Sequence, residues 1–329
     1  MVEFLKLLRI LEITNPLWVF FSYIIFFIAI KNSIVKKILI LILTFFISSA
    51  VNADVKGQAL SKISEKISEY TIGLIPGEGT TEFDVQLSDK DDNDPRFNLL
   101  LLRNLIKTDN SNFFTQMNLH TQDVGASDLR YIGNLGLGYR MLSEDNSYMF
   151  GGNIFYDRDL KNDHARASIG LEAKAGVLDF NFNHYEAATL QKVIDGNKEQ
   201  ALGGMDYTLA TQVPYMPWAK FNFTGYKHEG DLAITDTKGE KYTTEMNLTP
   251  SLVFEVEYDH SGNDGGDDYS SARITFVHPP RNSNPSLIDG FLGSQAFYKK
   301  DMISTLVEKV KRNNDIIIET QGAIIVTSK

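Results

Sequence analysis

Apolar and polar residues alternate through most of this chain, and a period of two marks a β-strand with one apolar and one polar face. In the run from Leu178 to Tyr185, Leu178, Phe180 and Phe182 alternate with Asp179, Asn181 and Asn183. Further on, Leu252, Phe254, Val256 and Tyr258 alternate with Val253, Glu255, Glu257 and Asp259, while Met205, Tyr207, Leu209, Thr211 and Val213 are expected to share one face. About twelve such runs follow one another, beginning near Glu82, Phe97, Phe113, Leu129, Tyr148, Ala165, Leu178, Gly203, Ala219, Glu240, Leu252 and Ser270. Most extend roughly 8–14 residues, longer than ordinary soluble strands and long enough for tilted strands to cross a bilayer. No helical period interrupts them, so an antiparallel meander is expected.

The connections also alternate. Ser88–Pro95, Gln122–Asp128, Glu186–Leu202, His228–Gly239 and Ser261–Tyr269 are long and polar, whereas Ser143–Ser147, Gly176–Val177, Pro214–Trp218 and the turn around Pro250 are short. Long loops at one end and short turns at the other are what an outer-membrane barrel presents. A soluble sandwich or lipocalin-like barrel also alternates, but it buries its apolar face and shows the polar one to water. Here the polar faces carry Arg140, Glu172, Lys174, Glu245, Glu255, Glu257 and Arg273, and this mixture of charges suits a polar lumen inside a lipid-facing wall.

Composition fits this reading. A hydrophobic content of 43% with slightly negative mean hydropathy is what alternate lipid-facing residues yield once polar loops dilute them. The net charge of −10, with no basic region to set against phosphate, excludes a nucleic-acid partner. With no cysteine, disulfide frameworks, thiolate metal sites and cysteine nucleophiles are excluded.

At the N-terminus, apolar stretches Leu17–Ile30 and Ile38–Phe46 flank Lys31, Lys36 and Lys37, and neither reaches the length of a spanning helix. The second reads as the core of a secretory signal. Ser48–Ala53 supplies small residues before a cleavage site between Ala53 and Asp54. The alternative is an uncleaved anchor over Leu17–Ile30. Residues 1–30 read either as an extended signal or as a start assigned too far upstream. After the signal, Leu60, Ile63, Ile67 and Tyr70 predict a short amphipathic helix.

Several motifs occur in order: NLGLGYR at 134–140, GGNIFYDRDL at 151–160, RASIGLEA at 166–173, VPYMP at 213–217, GYKHEGD at 225–231 and NLTPSLVFEVEYDHSGN at 247–263. LVEKVKRNNDIIIE follows the last strand at 306–319. Together they resemble the intimin/invasin family, the inverse autotransporters, over roughly residues 58–319. The signature positions are Asn134, Gly136, Gly138, Arg140, Gly152, Asn153, Phe155, Asp157, Asp159, Arg166, Gly170 and Glu172. Glycines in consecutive strands let a neighbouring backbone, or a chain inside the barrel, approach closely. Asp157, Asp159, Asp163 and His164 could be read as a metal cluster, but a loop-end network of salt bridges and turns is the better reading.

The resemblance implies an all-β fold, an antiparallel transmembrane β-barrel of about 12 strands in the bacterial outer membrane. It further implies an N-terminus in the periplasm, where the short amphipathic helix would then lie, and a C-terminal linker that threads the pore to expose a passenger. The expected organisation is an extension and signal over 1–53, the helix and lead-in over 54–80, the barrel over 81–278, and linker, lumen helix and passenger remnant over 279–329. The linker would be Pro279–Tyr298 and the lumen helix Asp301–Arg312, apolar at Met302, Leu306, Val307 and Val310. Arg281, Lys299, Lys300, Lys309, Lys311 and Arg312 either meet the lumen carboxylates Glu255, Glu257 and Asp259 or form a solvated helix face. Ile316–Glu319 and Ala323–Thr327 read as a hairpin around Gln321 and Gly322. The family's immunoglobulin-like repeats and the N-terminal peptidoglycan-binding module of some members have no counterpart in the sequence.

The function expected is a translocator and anchor for the chain's own C-terminal segment, with a link to cell adhesion whose target the sequence does not name. The expected partners are outer-membrane lipid, the barrel-assembly machinery and periplasmic chaperones during biogenesis; no cofactor or catalysis is expected. Alternatives are a stand-alone porin and a barrel enzyme. For the enzyme, His184 and Ser251 lie on separate strands without a supporting motif. The acidic run Asp89, Asp91, Asp92, Asn93 and Asp94 departs from a calcium loop, with Asp94 in place of glycine and Leu100 in place of the closing glutamate, and is expected to bind Ca²⁺ weakly at most. The six histidines show no pair at metal-ligand spacing.

Overall fold

Strands whose residues alternate between lipid and water leave an exposed hydrogen-bonding edge unless the sheet closes on itself. The computed structural model describes residues 77–89, 95–124, 128–230, 236–263, 266–320 and 323–325, and within them the sheet closes. The first strands of the barrel are β1 (Gly79–Ser88), β2 (Arg96–Lys107), β3 (Ser111–Val124), β4 (Asp128–Leu142), β5 (Tyr148–Asp159), β6 (Ala165–Ala175) and β7 (Leu178–Ala187). After a loop carrying β8 (Lys192–Ile194) and β9 (Asn197–Ala201), β10 (Gly204–Val213), β11 (Met216–His228), β12 (Thr237–Thr249), β13 (Leu252–Ser261) and β14 (Tyr269–His278) complete the circuit. Every neighbour is antiparallel, and β1 pairs with β14 from Thr81↔His278 to Ser88↔Ser271 to close the wall. The expected signal and its Ala53/Asp54 site, the helix around Leu60–Tyr70, most of the acidic run and the last residues of the tail lie outside the described residues.

The outward face of β4–β7 is an apolar band. Leu135, Ile154 and Leu171 are 56–57% exposed, with Tyr131 towards the loop end and Tyr139 and Tyr148 towards the turn end. Aliphatic residues flanked by aromatic ones suit a hydrocarbon slab with two interfaces. The inward face buries its polar residues: Arg130, Arg140, Arg166 and Asp157 are all at most 1% exposed.

Three differences from the sequence reading have local causes. The register slips between Gln212 and Val213, and that irregularity turns Val213 away from the Met205–Thr211 face into a cluster with Met216, Trp218 and Ala219. The Glu186–Leu202 loop folds into the β8–β9 hairpin over Asp195 and Gly196, whose φ values of 49° and 83° suit a two-residue turn. Most of Gln122–Asp128 belongs to β3 and β4 rather than to a loop.

Because β14 ends at the turn end, the chain must reverse before it can enter the lumen. Residues 279–300 fold across that end instead of threading the pore, held where the Arg281 N–H donates to the Pro250 carbonyl and the Tyr215 N–H to the Ala296 carbonyl. Trp218 Nε1 donates to the Phe291 carbonyl at 2.9 Å. A 3₁₀ turn, Leu287–Asp289, lies in this segment and a second, Ser304–Val307, follows it. Beyond the lumen, β15 (Ile318–Thr320) pairs with β9 and β16 (Ala323–Ile325) pairs with β15, making a four-stranded sheet at the loop end.

Candidate functional site in the lumen

Residues 301–320 climb the lumen from the turn end to the loop end in three apolar steps. Met302 and Leu306 pack with Leu142 and Met149, Val310 packs with Leu102, Phe114 and Phe155, and Ile316 and Ile318 pack with Val124, Ile132 and Ala201. The fourfold spacing of Met302, Leu306 and Val310 suggests a helix, yet only Ser304–Val307 turns, and as 3₁₀. The wall takes the carbonyls a helix would use internally. Thr80 Oγ1 donates to Val307 O at 2.8 Å and Asn112 Nδ2 to Leu306 O at 2.9 Å, while Arg140 donates to the carbonyls of Thr305, Leu306 and Glu308.

The segment then keeps step with β3. Asn112 meets Leu306, Gln116 accepts from the Val310 N–H at 2.8 Å, and Gln122 meets Ile316, each contact separated by 194 residues in sequence. A constant offset means that the two chains advance in step, so beyond the 3₁₀ turn that ends at Val307 the segment runs extended and parallel to β3, with side chains bridging the gap. On the facing strands, Asn134 donates to Asn314 O at 3.0 Å, Asn183 to Lys311 O at 3.1 Å and Arg166 to Asn313 O at 2.7 Å.

Ion pairs supply a second set of contacts. Arg312 forms parallel bonds to Asp157 at 2.9 and 2.7 Å, both side chains fully buried, and Asp157 also receives Arg166 and Asn134. Asp315 lies 3.0 Å from Arg96 and 2.8 Å from His120; Lys311 lies 3.0 Å from Glu245 and Lys309 2.9 Å from Glu82. Glu308 pairs with Lys174 and Lys300, and Arg281 with Glu82. Arg281, Lys300, Lys309, Lys311 and Arg312 thus meet wall carboxylates, but not the ones expected. Glu255 is paired with Arg273 at 2.9 Å and Asp259 with Lys241 at 3.0 Å, so β12 and β14 neutralise β13 within the wall.

The signature positions divide by what they touch. Asn134, Arg166 and the segment's Arg312 converge on Asp157, and Arg140 holds Glu172 at 2.8 Å while gripping the segment's carbonyls. A Cβ on Gly136 would lie 2.4 Å from the Phe155 ring and one on Gly138 2.3 Å from the Phe114 ring. These glycines therefore accommodate rings, and the Arg312 and Arg140 guanidinium groups sit over those rings at 4.4 and 4.6 Å. Gly170 makes room for the amides of Asn153 and Asn183, whereas Gly152 has no atom closer than 3.8 Å to its absent Cβ. Asp159 belongs to a loop-end cluster in which Arg130 meets Asp128, Asp159 and Glu199. Among the described residues no group of three or more His, Asp or Glu side chains could hold a metal ion.

Just beyond the strands, His164 Nε2 contacts Glu199 at 3.1 Å and Nδ1 has no partner. Burial pushes the His164 pKa below its ordinary value, outweighing the pull of Glu199. Asp163 is held below the ordinary carboxylate range by its hydrogen bond from Arg158. Sequence reasoning missed Gln116, Gln122, Arg96, His120 and Tyr185, although each lies on the polar face that the period of two defines.

A family model described as inverse autotransporter, beta-domain, matches residues 46–277. The inverse autotransporter adhesin YeeJ of Escherichia coli (strain K12) is 24% identical over 223 residues, 65% of this chain and 9% of that protein. An attaching and effacing protein homolog of the same organism is 28% identical over 194 residues, 56% of this chain and 62% of that protein. The chain therefore spans less than two thirds of either curated relative. A chain solved in work on the in-meso crystallization of membrane proteins superposes with a TM-score of 0.56 at 19% identity, over 73% of this chain and 99% of that one, a likeness of fold alone.

Proposed function

This chain belongs to the inverse autotransporter β-domain family and forms a barrel of the bacterial outer membrane, and from that premise we propose that it conducts its own C-terminal segment through the lumen and anchors it at the cell surface. The observation that carries the reading is the path of residues 301–320, which rise from the turn end, fill the lumen and continue as β15 on the loop-end hairpin. Short turns face the periplasm and long loops the exterior in outer-membrane barrels, so that path leads outwards.

On this reading Asn134, Asp157 and Arg166 seat Arg312, and Arg140 with Glu172 seats the start of the climb. A buried, bidentate arginine–carboxylate pair is costly to separate, which suits an anchor. A stand-alone porin is disfavoured because the segment occupies the lumen. The adhesive role is proposed from the relative's name, with the displayed part as the adhesive element. Outer-membrane lipid would contact the apolar band, and the barrel-assembly machinery and periplasmic chaperones would act during biogenesis.

Protease treatment of intact cells tests the proposal. A tag after Lys329 should be removed as readily as one placed in residues 188–203. A protected tag beside a cleaved loop would refute export.

A further inference from the structure

Apart from the ion pairs, the wall makes a set of contacts that read no side chain of the segment. Gln122 donates from Nε2 to the Ile316 carbonyl at 2.7 Å and accepts the Ile316 N–H on Oε1 at 3.0 Å, the same exchange a paired strand would make. Gln116 accepts the Val310 N–H, and Asn112, Asn134 and Asn183 donate to segment carbonyls. We infer that these amides form a track that binds the main chain of an extended polypeptide of any sequence, along which the chain passes before residues 308–315 come to rest. The inference rests on the export reading and adds the site and chemistry of passage.

One observation and two properties of the amide group carry it. The contacts on β3 keep one constant offset, as a chain sliding in extended form requires, and the track spans the lumen from Asn112 to Gln122. A primary amide carries both a donor and an acceptor, so it can meet either main-chain group as the chain advances. An amide is also uncharged. The lumen face of β3, unlike the strands that carry Asp157, Arg140 and Arg166, presents no carboxylate or guanidinium that would capture an oppositely charged side chain in passing, as Asp157 captures Arg312.

The test uses the full chain, whose lack of cysteine allows a single reporter thiol. Two cysteine-free passengers of equal length and unrelated polar sequence are fused after Lys329, and surface arrival is timed by protease cleavage, normalised to barrel with the heat-modifiable gel shift. With the native wall both should arrive within twofold of each other. The variant Gln116→Leu/Gln122→Leu should slow both at least tenfold, and Gln122→Glu, which keeps the acceptor and loses the donor, should fall between. Arrival within twofold of the parent in the double variant, or rates that differ between passengers by tenfold with the native wall, would overturn the track. If neither passenger arrives even with the native wall, the export reading has failed, and a second readout decides the track. A thiol at Val310→Cys, buried in the docked segment, should react with a water-soluble maleimide at least tenfold faster in the double variant, and an unchanged rate rejects the track.

Discussion

Asp157 of β5 and Arg312 of the lumen segment meet through two parallel hydrogen bonds of 2.9 and 2.7 Å, with neither side chain exposed. Asn134 and Arg166 converge on the same carboxylate, so three strands and the segment share one buried charge. Breaking such a pair from one side leaves a charge without compensation, at a cost of about 3–5 kcal/mol, more than most single substitutions cause.

Arg312→Ala and Asp157→Ala are expected each to release the segment, raising proteolysis of residues 313–320 and lowering the temperature of the barrel's gel-mobility transition. The double variant should be no worse than the more damaging single one, because both remove the same interaction. Additive losses would show that the two residues act independently.

Gly136→Ala and Gly138→Ala are expected to destabilise the barrel by about 1–3 kcal/mol, since each added Cβ overlaps an aromatic ring that is packed under a guanidinium. Gly152→Ala should stay within ~0.5 kcal/mol because nothing occupies that space. Urea unfolding in micelles measures all three, and equal losses would refute the steric account.

Protonation of His164 would add a second N–H where Nδ1 has no partner. Its pKa is depressed in the fold, so the unfolded or opened form binds the proton more readily. The contribution to stability is therefore present above the ordinary value of 6.5 and is lost as pH falls below it. Amide protection in β9, taken relative to the intrinsic exchange rate at each pH, should fall as the pH is lowered from 7.5 to 5, a range of about 2.5 units around that value, and His164→Gln should flatten the dependence. An unchanged slope in the variant would remove His164 as the cause.

Ile154→Arg places a charge in the apolar band and is expected to cost about 2–4 kcal/mol in folding into liposomes. Leu190→Arg, at a loop position 87% exposed, should change stability by no more than ~0.5 kcal/mol. Similar effects at both sites would contradict a lipid-facing band at Ile154.

Gln200 and Glu319 are direct partners of the β9–β15 pairing. In this cysteine-free chain Gln200→Cys/Glu319→Cys should form one disulfide under mild oxidation, because directly opposed antiparallel residues lie within bridging range. Failure to cross-link in folded barrel would mean that the segment does not end on the hairpin.

Much of the wall was legible in the primary structure because a period of two assigns each residue to lipid or lumen without regard to distant partners. Arg140 and Glu172 could be placed inside the barrel on that ground alone, whereas Asp157, grouped by its neighbours with a loop-end network, lies in the lumen and holds Arg312, a partner no local pattern could reveal. Val213 escaped because one slip in register exchanges the two faces, and a slip depends on the neighbouring strand. The Asp195–Gly196 turn was written in the chain, yet the loop's general polarity obscured it.

The lumen segment shows the limit most clearly. Met302, Leu306 and Val310 have helical spacing, and local periodicity cannot reveal that Thr80, Asn112 and Arg140 will claim the carbonyls a helix needs. Likewise, composition provided acidic and basic residues for the lumen but not their pairing: Arg312 faces Asp157 across 155 positions of sequence, while Glu255 and Asp259 are neutralised within the wall. The sequence by itself determined a closed barrel with an apolar exterior and a charged interior, because each strand carries that choice in its own alternation. Only the tertiary structure decided which charge meets which and what shape the enclosed segment takes, because those depend on strand tilt, register and the backbone groups that closure brings within reach.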